Sequence, residues 1–195
     1  MGDPQSKVYY TLEEYFGLLN ASDRRFEYWD GEIVSRSGGS KEHAIIQMNL
    51  SLAFGNRLKA PCRPFGSELA VKVAHQAGFV YPDLSVGCNP EYEKHSQVID
   101  MITNPIVLCE IVSPTSGFRD HHSKRKIYQA LQSLREYLII EIESEGPFVT
   151  HYLRGPKQWK KHIYDEPSDS IEVSSVGIVL TMAEIYQGIE FTAGC

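Results

Sequence analysis

The chain of 195 residues has few cysteines, and none of them lie in a motif. Cys62, Cys88, Cys109 and Cys195 are scattered, and no two form a C-x-x-C pair. This distribution is not typical of a zinc site or of a disulfide framework. It predicts reduced thiols in a cytoplasmic protein, with one or two of them in the core.

Long apolar segments are also missing. No apolar run approaches the 18 or so residues of a membrane span, so no membrane association is expected. The first seven residues, MGDPQSK, lack the apolar region of a secretory signal. The motifs G-x-S-x-G, Walker A and G-x-G-x-x-G are absent as well, so hydrolase-elbow, NTPase and dinucleotide-binding functions lack support.

An excess of positive charge is the third absence. There are 19 Lys and Arg residues against 25 Asp and Glu, which gives a net charge of −6. Binding of nucleic acid by bulk charge is therefore not expected, and contact with a phosphate backbone would need local basic clusters. The clusters at residues 124–126 and 157–161 fit such contacts or a solvated face equally well.

What the sequence does contain is typical of a globular protein, with 42% hydrophobic and 23% charged residues. The length predicts a single domain over residues 1–195, with a core over about 10–191. Periodicity predicts helices over residues 11–20, 41–58, 118–134 and 181–187. It predicts strands over 25–28, 32–35, 69–74, 79–87, 105–113, 137–142, 148–153, 159–164 and 178–180, and a polar loop over 89–104. The fold class is therefore α/β or α+β, with a mixed sheet.

Two carboxylates lie on predicted apolar strands. Glu110 falls inside the apolar run 106–112, where an unpaired carboxylate is costly, so it is paired, protonated or cation-bound unless the strand end reaches solvent. Asp83 follows Pro82 between apolar residues, where an isolated aspartate also fits a turn. On adjacent strands the two would supply oxygen ligands to a hard cation such as Mg²⁺. Such an ion can activate water and neutralise charge on a phosphoryl oxygen.

A lysine on the following helix adds a third charged group. Asp120, Lys124 and Tyr128 share one helix face at spacings of four residues. This pattern fits a solvated charged face. It also fits an ammonium directed at the metal site, where it would orient the attacking water or stabilise negative charge.

In their order these residues resemble the Uma-two family of restriction-endonuclease-like proteins, within the PD-(D/E)XK nuclease superfamily. The matching segments are YPD at 81–83, EIVSPTS at 110–116, DxxxKxxxY at 120–128 and EYLII at 136–140. The segment FEYWDGE at 26–32 resembles the first conserved segment of that family. His43 stands where the family often has a histidine at the start of its long helix.

The resemblance implies a restriction-endonuclease-like mixed sheet flanked by helices, and hydrolysis of DNA phosphodiester bonds with Mg²⁺ or Mn²⁺. Asp83 and Glu110 match the two metal-binding carboxylates, and Glu27 matches a supporting acid. The superfamily usually has a lysine two residues after the second acid, where this chain has Val112. The Uma-two pattern moves the lysine to the next helix, at Lys124.

Further expectations follow from the resemblance, and two alternatives remain open. His43, Asp120 and Tyr128 are expected to support the site. A homodimer is expected because cutting both DNA strands uses two sites. One alternative is a catalytically inactive binding or assembly protein on the same scaffold. The other is a metal-dependent hydrolase of a small phosphoester.

Overall fold

The computed structural model describes residues 9–21, 26–29, 31–35, 39–73, 78–95, 99–113, 118–142 and 145–191, without the side chains of 95 and 118–123. The side chain of Asp120, one of the predicted supporting groups, therefore lies outside the described part, as does Cys195.

Within these ranges the helices and strands alternate irregularly along the chain. The helices are α1 (Leu12–Asn20), α2 (Lys41–Arg57), α3 (Phe118–Ala130) and α4 (Met182–Ile185). The strands are β1 (Phe26–Trp29), β2 (Glu32–Ser35), β3 (Cys62–Gly66), β4 (Ala70–Val73), β5 (Gly78–Val80), β6 (Leu84–Cys88), β7 (Tyr92–His95), β8 (Ile99–Ile102), β9 (Val107–Val112), β10 (Glu136–Glu141), β11 (Phe148–Arg154), β12 (Trp159–Tyr164), β13 (Ser170–Val173) and β14 (Ile178–Thr181). None of the helices described here is long and apolar enough to cross a membrane.

Two six-stranded mixed sheets form the frame. The first sheet has the order β2-β1-β5-β4-β8-β7, and the second has the order β12-β11-β10-β9-β6-β3. β13 and β14 form a separate hairpin. In the second sheet, β9 pairs in parallel with β10 and antiparallel with β6, so it is a central strand. All six residues of β9 are buried, as its nearly continuous apolar sequence predicts.

α3 packs between the two sheets. Its buried Tyr128 belongs to one hydrophobic cluster with Trp29 and Val71 of the first sheet and with Leu108 and Tyr137 of the second. Alternate residues of the second sheet point the other way. There they pack with α2, α4 and the β13–β14 hairpin. α1 covers the remaining face of the first sheet.

The chain passes from one sheet to the other at Pro82. The sequence predicts one strand over residues 79–87, with the proline at an edge or a bulge. The structure instead has β5 in the first sheet and β6 in the second, joined by Tyr81, Pro82 and Asp83. Pro82 has no N–H to contribute to a ladder, which suits this crossing point. Asp83 therefore lies between the sheets.

The predicted α/β (α+β) class with a mixed sheet is confirmed, and α1 and α2 lie where helices were predicted. α1 begins with the expected capping box of Thr11 and Glu14. The loop predicted over residues 89–104 is wrong, because β7 and β8 form there. The polar, exposed residues of β7 belong to the edge of a sheet, where hydrophobic alternation is not required.

The prediction of reduced thiols is wrong for two cysteines. Cys62 on β3 and Cys88 on β6 lie directly opposite each other and form a disulfide. They are 26 residues apart, so only the strand register brings them together. Cys109 is a free buried thiol, as predicted for a core cysteine.

Candidate functional site

Four charged residues from different elements meet between the sheets, at α3. Glu27 comes from β1, Asp83 from the crossing before β6, Glu110 from β9 and Lys124 from α3. Their exposed fractions are 2%, 2%, 4% and 6%. Charged side chains are rarely buried to this extent unless they are paired. The grouping therefore has to be explained by the contacts among its members.

Lys124 makes ion pairs with two of the three carboxylates. Its Nζ lies 3.0 Å from Glu27 Oε2 and 3.4 Å from Glu110 Oε1. The ammonium is also 6.0 Å from the centre of the Trp29 ring, where a cation is attracted to the aromatic face. Glu27 is held in turn, because its Oε1 accepts a hydrogen bond of 2.9 Å from the backbone N–H of Tyr81. The lysine is thus fixed between the first sheet and β9.

The contacts of the Glu110 carboxylate with described residues all involve one of its two oxygens. The Tyr128 hydroxyl donates a hydrogen bond of 2.5 Å to Oε1, the same oxygen that Lys124 contacts. Burial and the negative charge of Glu110 raise the pKa of Tyr128 well above its usual value, so the phenol keeps its proton and donates. The other oxygen, Oε2, accepts no hydrogen bond from any described residue. It is the oxygen that remains available to a ligand.

The pKa of Glu110 is raised. Burial, opposed by the Lys124 ammonium and reinforced by the negative charges of Asp83 and Glu27, raises it from 4.5 to about 7. Glu110 therefore changes its charge near neutral pH, in a buried position beside two other acids. Carboxyls with such pKa values are concentrated at functional sites.

Asp83 is oriented by two different groups. Its Oδ2 accepts a hydrogen bond of 2.8 Å from the backbone N–H of Ile111, the residue that follows Glu110. Its Oδ1 lies 3.2 Å from Nε2 of His43. His43 reaches it from the first turn of α2, which begins where the Ser40 side chain accepts a hydrogen bond from the His43 N–H. The carboxylate of Asp83 is thereby held beside the Glu110–Ile111 peptide.

The structure brings together every predicted site residue whose side chain is described. Glu27, Asp83, Glu110 and Lys124 form the cluster, Tyr128 contacts Glu110, and His43 contacts Asp83. Val112 is buried two residues after Glu110, on the same face of β9. The lysine on α3 thus reaches the space above that face, which a lysine at position 112 would also enter.

One contact residue is absent from the sequence predictions. Gln47, four residues after His43 on α2, donates a hydrogen bond of 3.0 Å to the backbone carbonyl of Asp83. The spacing places both residues on one face of α2. An uncharged amide on a helix with mixed polarity gives no other signal in the sequence.

The donor set fits a hard divalent cation. Three carboxylates face a single lysine, so the cluster has an excess of negative charge when Glu110 is ionised. No group of three or more His, Cys, Asp or Glu side chains poised around one ion occurs among the described residues. Mg²⁺ commonly keeps several waters beside one or two carboxylates, so a site with fewer than three protein ligands is compatible with it.

Comparison with known proteins gives the family. Residues 12–183 match the model of the Uma2 (Uma-two) family, described as "Putative restriction endonuclease". The chain belongs to the Uma2 family. This confirms the resemblance drawn from the sequence motifs.

Two relatives come from Synechocystis, and both are uncharacterised proteins. One, slr1290, is 31% identical over 180 residues, which cover 92% of each chain. The other, sll1609, is 29% identical over 155 residues, covering 76% of this chain and 84% of the relative.

A solved structure has a similar fold. It is the crystal structure of a putative nuclease of DUF820 from Anabaena variabilis, with a TM-score of 0.64 and 21% identity. The match covers 85% of this chain and 91% of that one. At this identity the likeness concerns the fold alone.

Proposed function

We propose that the protein is a metal-dependent endonuclease that hydrolyses DNA phosphodiester bonds with Mg²⁺ or Mn²⁺. The observation that carries the proposal is the position of the Lys124 ammonium, 3.0 Å from Glu27 and 3.4 Å from Glu110, in a buried cluster that also contains Asp83. Membership of a family described as "Putative restriction endonuclease" supports it.

In this proposal each residue has a separate task. Asp83 and Glu110 would hold the cation, which would supply neutralisation of charge on the scissile phosphate and a lower pKa for a bound water. Lys124 orients the attacking water or stabilises the negative charge that develops on the phosphate. Glu27 positions Lys124 through its ion pair. Tyr128 fixes one oxygen of Glu110 by its hydrogen bond, and the other oxygen would be the one that binds the cation.

DNA is the proposed substrate although the chain is acidic, so local cations must meet the phosphates. Lys160 and Lys161 lie exposed on β12, the edge strand of the second sheet. In the other basic cluster Lys124 is buried in the site, and Arg125 donates a hydrogen bond of 3.0 Å to the Tyr152 hydroxyl. Lys126 of that cluster is exposed, so it and the two lysines on β12 are the candidates for contacts with the DNA backbone.

A homodimer and a cytoplasmic location remain predictions. The dimer follows only from the advantage of two sites for cutting two strands. Disulfides are rare in reducing compartments such as the cytosol. The Cys62–Cys88 disulfide therefore does not support the cytoplasmic prediction.

Plasmid nicking tests the proposal. Purified protein should relax supercoiled plasmid with Mg²⁺ or Mn²⁺ but not with EDTA, and Asp83→Ala should abolish nicking. Asp100→Ala, which alters an exposed aspartate on β8, is the matched control and should nick as the parent does. If the parent does not nick with either metal, the result favours the non-catalytic binding or assembly protein.

The salt dependence separates DNA from a small phosphoester. Activity on DNA at subsaturating substrate should fall steeply with added salt, because released counterions drive phosphate binding. Turnover of a small phosphoester that exceeds nicking and is insensitive to salt would replace the proposal with the hydrolase alternative.

A further inference from the structure

Gln47 holds the backbone of Asp83 from α2. Its Nε2 donates hydrogen bonds of 3.0 Å to the Asp83 carbonyl and 3.2 Å to the Ser67 hydroxyl. A backbone carbonyl only accepts hydrogen bonds, so the nitrogen end of the amide must face Asp83. Both hydrogens of the NH₂ group are then used, and the orientation of the amide is determined.

Gln47 contacts the chain just before the first residue of β6. β6 begins only at Leu84, and its ladder with β3 ends at the pair of Gly66 and Leu84. The Asp83 carbonyl therefore lies just outside the ladder, after a proline that contributes no N–H. The Gln47 hydrogen bond holds this peptide just beyond the end of the ladder.

His43 and Gln47 contact the side chain and the main chain of Asp83, respectively. They are one helical turn apart on α2, so they lie on the same face of the helix. His43 contacts the carboxylate at 3.2 Å, while Gln47 contacts the backbone carbonyl at 3.0 Å. α2 thus sets the direction in which the Asp83 carboxylate points into the cluster.

We propose that Gln47 is a positioning residue of the metal site, which acts by fixing the main chain of Asp83. This inference rests on the proposed function, because it concerns the metal that Asp83 would hold. Groups that orient a metal ligand typically change metal affinity or activity about 10–100-fold when they are removed. The Gln47 amide is such a group, because its hydrogen bonds go to the main chain of Asp83 and to Ser67.

The same helix offers a matched control. Asn49 also donates two hydrogen bonds from one amide, of 3.0 Å to the Ile185 carbonyl and 2.9 Å to the Gln187 carbonyl. These acceptors lie in and after α4, away from the charged cluster. Asn49→Leu therefore removes an equivalent pair of bonds from α2 without touching Asp83.

Calorimetric titration with Mn²⁺ is the test, with thermal unfolding of the metal-free proteins beside it. Gln47→Leu should weaken Mn²⁺ binding about 10-fold or more. Asn49→Leu should lower the unfolding temperature comparably and leave the Mn²⁺ affinity within about 2-fold of the parent. Ser67→Ala, which removes only one partner of the amide, should fold normally and weaken Mn²⁺ binding by a smaller factor.

The outcomes separate this inference from the proposed function. Equal Mn²⁺ affinities for parent, Gln47→Leu and Asn49→Leu would overturn the role of Gln47 while leaving the metal site intact. Equal losses in both leucine variants would assign Gln47 a purely structural role. A parent that binds no Mn²⁺ would overturn the proposed function and this inference with it. If Gln47→Leu does not fold, an unchanged affinity in Ser67→Ala would overturn the inference.

Discussion

Replacement of Glu110 by glutamine should stabilise the metal-free protein at pH 8, although it removes a proposed metal ligand. The pKa of Glu110 is about 7 in the folded protein, against a usual value of 4.5. Between these values the folded state keeps a proton that the unfolded state has lost. The stability of the parent therefore falls as the pH rises through this window, and the loss is complete above about pH 7.

The size of the effect follows from the same two values. Each pH unit between them is worth about 1.4 kcal/mol, so the ionised Glu110 destabilises the fold by at most about 3 kcal/mol. Glutamine has a similar shape, does not titrate and can still accept the hydrogen bond from Tyr128. Lys124 keeps Glu27 as a partner, at 3.0 Å. The variant should therefore lack this cost.

Urea unfolding in EDTA at pH 5 and pH 8 is the assay. Glu110→Gln should exceed the parent in free energy of unfolding by about 3 kcal/mol at pH 8, and the difference should fall to about 1 kcal/mol at pH 5. Glu172→Gln alters an exposed glutamate on β13 and should follow the parent at both pH values. Added Mg²⁺ should stabilise the parent at pH 8 and not the Glu110 variant.

Two results would refute this reasoning. If the Glu110→Gln variant is no more stable than the parent at pH 8, neighbouring groups fully offset the free-energy cost of burying the ionised carboxylate. A difference of the same size at both pH values would mean that the gain comes from packing rather than from ionisation.

Three other experiments test separate contacts of the structure. Lys124→Met leaves the buried carboxylates without their Lys124 partner. It should lower the free energy of unfolding in urea at pH 8 by about 3–5 kcal/mol and abolish plasmid nicking. A stability loss below about 1 kcal/mol would contradict the buried pairing. Tyr128→Phe keeps the ring and should lose about 1.5–3 kcal/mol at pH 8, where Glu110 is charged, but less at pH 5; equal losses would show that the hydroxyl does not act on the carboxylate. Dithiothreitol should lower the free energy of unfolding of the parent by about 3 kcal/mol. The stability of a Cys62→Ser, Cys88→Ser variant should not change with dithiothreitol. If the stability of the parent does not change either, the disulfide does not form.

The sequence predicts those parts of the site that lie on strongly patterned segments. The nearly continuous apolar run around Glu110 indicates a central strand, and the charge within it indicates a partner or a ligand. Lys124 and Tyr128 are predicted to share a face by helical spacing alone, and both contact Glu110 in the structure. These inferences need only local periodicity, which the sequence contains.

What could not be predicted depends on which strands pair. Asp83 was assigned to a strand neighbouring that of Glu110, but nothing in residues 79–87 shows that Pro82 carries the chain between two sheets. The Cys62–Cys88 disulfide depends on the register of β3 with β6, which has no local signal. Gln47 is recognisable only once the Asp83 carbonyl is known to lie beyond the end of a ladder.

The lysine of the charged cluster comes from α3 and not from β9. Val112 follows Glu110 by two residues, so a lysine there would extend over the same face of β9. α3 lies across that face, and Lys124 enters from above to reach Glu110 and Glu27. Position 112 can then hold a valine that packs in the core, where its exposure is 7%. The cluster thus depends on α3 staying between the sheets, and contacts that hold α3 there, such as the Arg154 guanidinium on the Gln129 carbonyl at its C-terminal end, support the site from a distance.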